Sequence, residues 1–173
     1  VFKQNAYKAR AVVFLEDKLT AGVATDVLDH PIIVLKRNAF NVLAKKITIN
    51  IRNKYVENYT SSNLIGFIPG TILPDSFIVI SAHYDHLGQM GEYVYFPGAN
   101  DNASGVAMLL NLAAYYSKSE NKPAYSIVFI AFCGEELGLM GSKYYTEHPL
   151  FPLSKIRFLL NLVLRDGLLV FAF

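Results

Sequence analysis

Three short runs carry residues able to do acid–base or metal chemistry: "AHYDH" at 82–86, "GANDN" at 98–102 and "CGEE" at 133–136. They supply His83, Asp85, Asp101, Glu135 and Glu136. Each residue alone has an ordinary structural explanation. His83 suits a hydrogen-bonded core histidine, and Asp85 suits an ion pair or a turn cap. Asp101 precedes "ASGVAMLLNLAAYYSK", which looks helical, and aspartate is favoured at a helix start because its oxygens accept free backbone N–H groups. Glu135 and Glu136 at a helix start would gain about 0.3–1 kcal/mol each from the helix dipole. His86 and His148 read as structural histidines, and His30, in a turn before Pro31, takes no role.

Taken together, the five are harder to explain in that way. Acids sharing a crevice with a histidine repel one another and lose hydration unless a cation neutralises them. Carboxylates and imidazole are ligands that zinc accepts, at about 2.0–2.2 Å. Asp85 follows His83 by two residues, on the same side of an extended segment, so it can take the other ring N–H and fix the tautomer. Asp101 has two oxygens, enough to bridge two ions about 3.5–4 Å apart. The side chains of neighbouring Glu135 and Glu136 diverge, so one can bind metal while the other takes a proton from water.

The elements that must position these groups show in the apolar patterning. "RAVVFL" (10–15), "HPIIVLKR" (30–37), "SSNLIGFIPGT" (61–71), "FIVISA" (77–82) and "YSIVFIAFCG" (125–134) read as strands, "FIVISA" a run of the kind found in a sheet covered on both faces. "ITINIRNKYVENY" (47–59) alternates with period two and predicts a half-buried strand. "NAFNVLAKK" (38–46), the run after Asp101 and "ELGLMGSKYYTEH" (136–148) predict helices, and "IRFLLNLVL" (156–164) is a further apolar run. Residues 88–98 read as a loop. Strands alternating with helices imply an α/β fold with a mixed, mostly parallel sheet covered by helices. In such sheets ligands sit beyond the carboxyl ends of the strands, where all three runs fall. The polar stretch "NYTSS" marks a boundary between a segment 1–58 and a segment 59–173.

The 173 residues are 53% hydrophobic and 17% charged, so the chain can bury a sizeable core. A net charge of +2 with no basic run gives no sign of a nucleic-acid partner. A single cysteine, Cys133, excludes an intrachain disulfide and a zinc site built from several cysteines. The apolar tail "FLLNLVLRDGLLVFAF" is too short and too charged to span a bilayer. Both ends look cut, and the chain reads as a fragment.

"SAHYDHLG", "PGANDNASGVAMLL" and "IAFCGEELGLMGSKYY" resemble, in order, the signature segments of the M28 family of zinc metallopeptidases, the dinuclear zinc aminopeptidases. The resemblance covers about residues 63–162. It implies a zinc-dependent aminopeptidase that hydrolyses the N-terminal bond of a peptide substrate with metal-activated water, using two zinc ions. It implies that His83 and Glu136 each bind a zinc, Asp101 bridges both ions, Glu135 is the general base and Asp85 orients His83. Asp101 then both starts the helix and bridges the metals. More weakly, "AVVFLED" and "HPIIVLKRNAFNVLAKK" resemble the later part of a protease-associated insert, placed at 1–58. Secretion is suggested by the resemblance alone, and the oligomeric state is open.

The chain also departs from the family. A further zinc-ligating aspartate is expected after "FLLNL", where this sequence has Val163. Asp166, three positions later, would lie about 10 Å further along a strand and on its other face. The family's last histidine ligand lies beyond this chain. One ion keeps His83 and Asp101 and the other Asp101 and Glu136, against the three protein donors usual at catalytic zinc. The expectation is weak metal binding and little or no activity of the chain as written. Two rival readings stand beside it: a degenerate, non-catalytic binding module, and a glutaminyl cyclase-like transferase with one zinc. Carboxypeptidase activity is also compatible with the resemblance.

Overall fold

The computed structural model describes residues 5, 8–20, 24, 26–41, 43–52, 54–165 and 168–169. The chain divides into two compact units, Val1–Tyr59 and Thr60–Phe173.

In the first unit, strands β1 (Val12–Glu16) and β2 (Ile32–Lys36) pair in parallel, Val12 opposite Ile32 and Glu16 opposite Lys36. Arg37 ties the end of β1 by donating to the Leu15 carbonyl at 2.8 Å and to Asp17 at 3.1 Å. The helix predicted over 38–46 is a single 3-10 turn, Arg37–Ala39. Just beyond it, Asn41 Oδ1 accepts the N–H of Leu43 at 2.9 Å. Such a local side-chain bond offers the backbone an alternative to the helix ladder. The strand predicted over 47–59 is also absent among the described residues. Ile47, Ile49 and Ile51 alternate as expected but are all exposed. Period-two alternation marks a possible strand, and without a partner strand the pattern has nothing to pair with.

The second unit is built on a four-stranded sheet. Its strands are β3 (Leu64–Ile68), β4 (Leu73–His83), β7 (Tyr125–Phe132) and β8 (Ile156–Asn161), in the order β3-β7-β4-β8. β3 runs antiparallel to β7, while β7, β4 and β8 are mutually parallel, so the fold is mixed α/β. The central strands are buried over residues 79–83 of β4 and 126–130 of β7, as their largely apolar runs require. Between β4 and β7 lie a small hairpin, β5 (Gln89–Met90) and β6 (Val94–Tyr95), within the predicted loop, and helix α1 (Ser104–Ser117). Helix α2 (Met140–Glu147) lies between β7 and β8, and β9 (Leu164–Arg165) pairs with β10 (Leu168–Leu169) beyond β8.

Each face of the sheet has its own core. On one side Ile80, Ala82, Ile127 and Phe129 pack against Leu109 of α1, with Val106, Leu112, Ala113 and Tyr116 around it. Those α1 positions recur at helical spacing and form a single apolar stripe. On the other side Val79, Val128 and Ile130 pack against Tyr145 of α2.

Two helix starts differ from expectation. α1 opens at Ser104, and Asp101, three residues earlier, has extended backbone (φ −113°, ψ 93°) and makes no capping bond. α2 opens at Met140 rather than 136 because Gly138 (φ +91°) and Leu139 (φ +62°) both take left-handed backbone that a helix cannot include. Glu135 and Glu136 therefore sit in a loop and not on a helix.

Candidate functional site

The register of the parallel strands brings the chemical groups to one end of the sheet. His83, the last residue of β4, pairs with Phe132, the last of β7, and Ser81 pairs with Asn161, the last of β8. The loop bearing Glu135 and Glu136 thus begins beside His83. Asn63 pins that loop at both ends. Its Oδ1 accepts the N–H of Cys133 at 3.1 Å and its Nδ2 donates to the Gly141 carbonyl at 2.8 Å.

His83 is buried, at 3% exposure, with both ring nitrogens engaged. Nδ1 lies 3.2 Å from the main-chain carbonyl of Asp85, and only an N–H can be the donor in that contact. Nε2 lies 3.0 Å from Asp101 Oδ1. With the proton on Nδ1, the Nε2 lone pair faces a carboxylate, an arrangement that is repulsive until a proton or a metal ion lies between them.

The Asp85 carboxylate is 3.8 Å from His83 Nδ1, further than the carbonyl of the same residue. Its two oxygens instead accept the backbone N–H groups of Glu135 at 3.0 Å and Glu136 at 3.1 Å. Asp85 therefore holds the glutamate loop as well as facing the imidazole.

Asn102 completes the scaffold. Its buried amide donates to the carbonyls of His83 at 3.2 Å and Leu162 at 2.9 Å, joining the ends of β4 and β8 at the foot of α1. The Asp101–Asn102 peptide is cis.

Burial holds the Glu135 carboxyl above the usual carboxylate range, and the negative charges of Glu136, Asp101 and Asp85 push the same way against the opposing pull of His83. An apolar cavity of about 250 Å³ opens beside it, lined among others by His83, Cys133, Glu135, Tyr145, Asn161 and Val163.

The structure thus joins all five sequence candidates through direct bonds: His83 to Asp101 and to the Asp85 carbonyl, and the Asp85 carboxylate to the backbones of Glu135 and Glu136. Val163 faces the same cavity and carries no donor atom. Asp166 lies outside the described residues.

Sequence reasoning missed two contributors. Asn102 gave no signal beyond its place next to Asp101. His86, read as structural, places Nδ1 2.9 Å from Glu136 Oε1. The spacing of "HYDH" was a usable sign, since His86 follows Asp85 directly into the same loop.

Among the described residues no three His, Cys, Asp or Glu side chains are gathered to hold a metal ion. What is present is two imidazole–carboxylate pairs, at 3.0 and 2.9 Å. Donors on one tetrahedral zinc at about 2.0–2.2 Å lie about 3.4 Å apart, so the pairs fit zinc in donor chemistry, sit closer together than such a shell sets them, and each supplies only part of one.

A mixed sheet with acids and a histidine gathered at the carboxyl ends of its parallel strands is the plan of an α/β enzyme. The sequence pattern of peptidase family M28 matches residues 63–165, and the chain belongs to that family. It is 31% identical over 150 residues to "Aminopeptidase YwaD" of Bacillus subtilis (strain 168), covering 83% of this chain and 31% of that protein. It is 41% identical over 88 residues to a "Probable zinc metalloprotease" of Pyricularia oryzae, covering 50% of this chain and 17% of the relative. It is 36% identical over 110 residues to "Glutamate carboxypeptidase 2 homolog" of Caenorhabditis elegans, covering 61% and 13%. The chain spans at most 31% of the length of these three relatives.

Proposed function

We propose that this chain is part of the catalytic domain of a zinc-dependent peptidase acting on the N-terminal bond of a peptide. The observation that carries the reading is the His83–Asp101 pair, 3.0 Å apart at the end of the central strand, with the Asp85-held glutamates in the adjoining loop. Action at the N-terminus draws on the likeness to the Bacillus subtilis protein named an aminopeptidase, which extends over 83% of this chain. The segment 1–58 is read as part of a protease-associated-type insert, supported by its separation as a unit with its own parallel strand pair.

In this reading His83, Asp101 and Glu136 are the residues that would hold zinc. Bound zinc would polarise the scissile carbonyl and bring the pKa of a water down toward about 7. Glu135, at the edge of the cavity, is the group that would take a proton from the attacking water and pass it to the leaving amine. Burial raises its pKa, which makes its carboxylate the stronger base for the first half of that exchange. Asp85 fixes where both glutamates stand, and the Asp85 carbonyl fixes the imidazole by holding the Nδ1 proton.

Val163 sets the limit. An ion beside His83 would find His83 and Asp101 as donors and the apolar Val163 in the same cavity, so this chain would hold zinc there weakly and hydrolyse peptides slowly or not at all. The same valine favours a second reading, a binding module that keeps the fold without the chemistry.

A zinc titration of Val163→Asp against the parent by calorimetry tests the assignment. Restoring a carboxylate should tighten zinc at least tenfold, and adding His83→Ala should abolish the gain. No gain from Val163→Asp means that these are not the ligands. A parent and variant that both give no heat favour the binding module.

A further inference from the structure

We infer that Asn63 is a positioning residue: its carboxamide bridges the two ends of the glutamate loop and so sets where Glu135 and Glu136 stand. What those glutamates do rests on the proposed function, while where they stand does not.

The loop from 133 to 141 closes on itself in rungs. The Gly141 N–H donates to the Cys133 carbonyl at 3.0 Å and the Met140 N–H to the Gly134 carbonyl at 2.9 Å. At the inner rung Gly138 and Leu139 both donate to the Glu135 carbonyl, at 2.9 and 3.0 Å. In an antiparallel pair, facing residues exchange two such bonds. Cys133 and Gly141 make one of them directly. In place of the other stands the Asn63 side chain, its Oδ1 accepting the Cys133 N–H and its Nδ2 donating to the Gly141 carbonyl. The Cys133 thiol donates to the same Oδ1 at 3.4 Å.

A carboxamide suits this place because it offers an acceptor and a donor side by side. An ionised carboxylate only accepts, and a hydroxyl is a single atom that cannot span the gap. The fit is close, since a Cβ on Gly141 would overlap both Asn63 Oδ1 and the Cys133 carbonyl.

The loop needs holding. Gly134 (φ +65°), Gly138 (φ +91°) and Leu139 (φ +62°) all take left-handed backbone, which for Leu139 crowds the Cβ against the following carbonyl. Two side chains from outside the loop hold that shape. Asp85 grips the N–H groups of Glu135 and Glu136, and Asn63 closes the base. Asn63 is itself anchored on both sides: Leu64 pairs with Ala131, and the Tyr84 hydroxyl donates to the Ser62 carbonyl at 2.8 Å. Strand β3, which carries no acid or histidine, thereby serves the site through the residue just before it.

The test is amide hydrogen exchange, read by NMR on the 15N-labelled, metal-free 173-residue chain. In the parent, the Cys133 N–H and one Asn63 side-chain proton should exchange at least tenfold more slowly than free amides, a readout that needs no variant to fold. Asn63→Ala should speed exchange at Cys133, Glu135 and Glu136 at least tenfold more than at Val79, Val128 and Ile130 in the sheet. Asn63→Asp keeps the size and the acceptor but loses the donor, so it should free the glutamate amides while Cys133 stays protected.

A merely structural role would speed loop and sheet amides by the same factor. That uniform result overturns the inference, as do Asn63 side-chain protons that exchange freely in the parent, or glutamate amides that keep the parent rates in both variants. None of these readouts involves zinc, so a failed titration of Val163→Asp would overturn the proposed function and leave the placing of the loop by Asn63 to be judged on its own.

Discussion

At the scale of single residues, the site is a set of charges made tolerable by specific bonds. Glu135 shows the cost most directly. Its folded pKa is raised, chiefly by burial, so its protonated form stabilises the fold. That contribution is complete below the unfolded value near 4.5 and is lost as pH rises through the higher folded value. Glu135→Gln, which cannot ionise, should therefore raise the urea midpoint of the metal-free protein at pH 7–8. The advantage should shrink as the solution is acidified to about pH 4, where both proteins are neutral at this position. A constant advantage across that range would mean that ionisation is not the cause. The residue types were legible in the sequence because acids and a histidine at the ends of apolar strands have few other uses. Their partners were less legible. Asp85 was expected to turn its carboxylate to His83, yet that carboxylate holds two amides some 50 residues away in sequence, and no local pattern encodes so distant a bond.

At the scale of elements, the strands were readable and the short helices were not. "FIVISA" and "YSIVFIAFCG" are largely apolar, with Ser81 and Ser126 the polar members of their buried stretches, and form the two central strands of a sheet covered on both sides. The nine-residue helix predicted from Asn38 failed because so short a helix has few ladder bonds to offset its nucleation, and Asn41 offered a competing turn. The α1 start was misplaced by reading Asp101 as a cap, when the helix begins three residues later and is located by close packing. Gly105, in its first turn, meets the Leu162 carbonyl and the Asn102 amide so closely that a Cβ would overlap both. Gly105→Ala should therefore destabilise the protein by about 1–3 kcal/mol in urea unfolding, despite the better helix propensity of alanine. A neutral or stabilising result would show that α1 can shift away from the sheet at little cost.

At the scale of the whole molecule, the two compact units differ in how their backbone is protected. The described residues from 43 to 62 are exposed and lie in neither helix nor strand. Brief trypsin treatment should cut first after Lys45, Lys46, Arg52 or Lys54, well before Lys143 on α2 or Arg157 on β8. Mass spectrometry of the first fragments checks this, and early cleavage at Lys143 or Arg157 would contradict it. The strand order was beyond the reach of the sequence, because an antiparallel β3 beside β7 depends on contacts between segments more than 50 residues apart. That order has a consequence for how the site is tuned. β4 and β7 are stepped together from Ile78–Ile127 to His83–Phe132, one rung at a time. The gap between imidazole and glutamates is thus measured out by a ladder of amide bonds that never meets a substrate. A slip of one rung, even near Phe77, would misalign the reacting groups while leaving every one of them chemically intact.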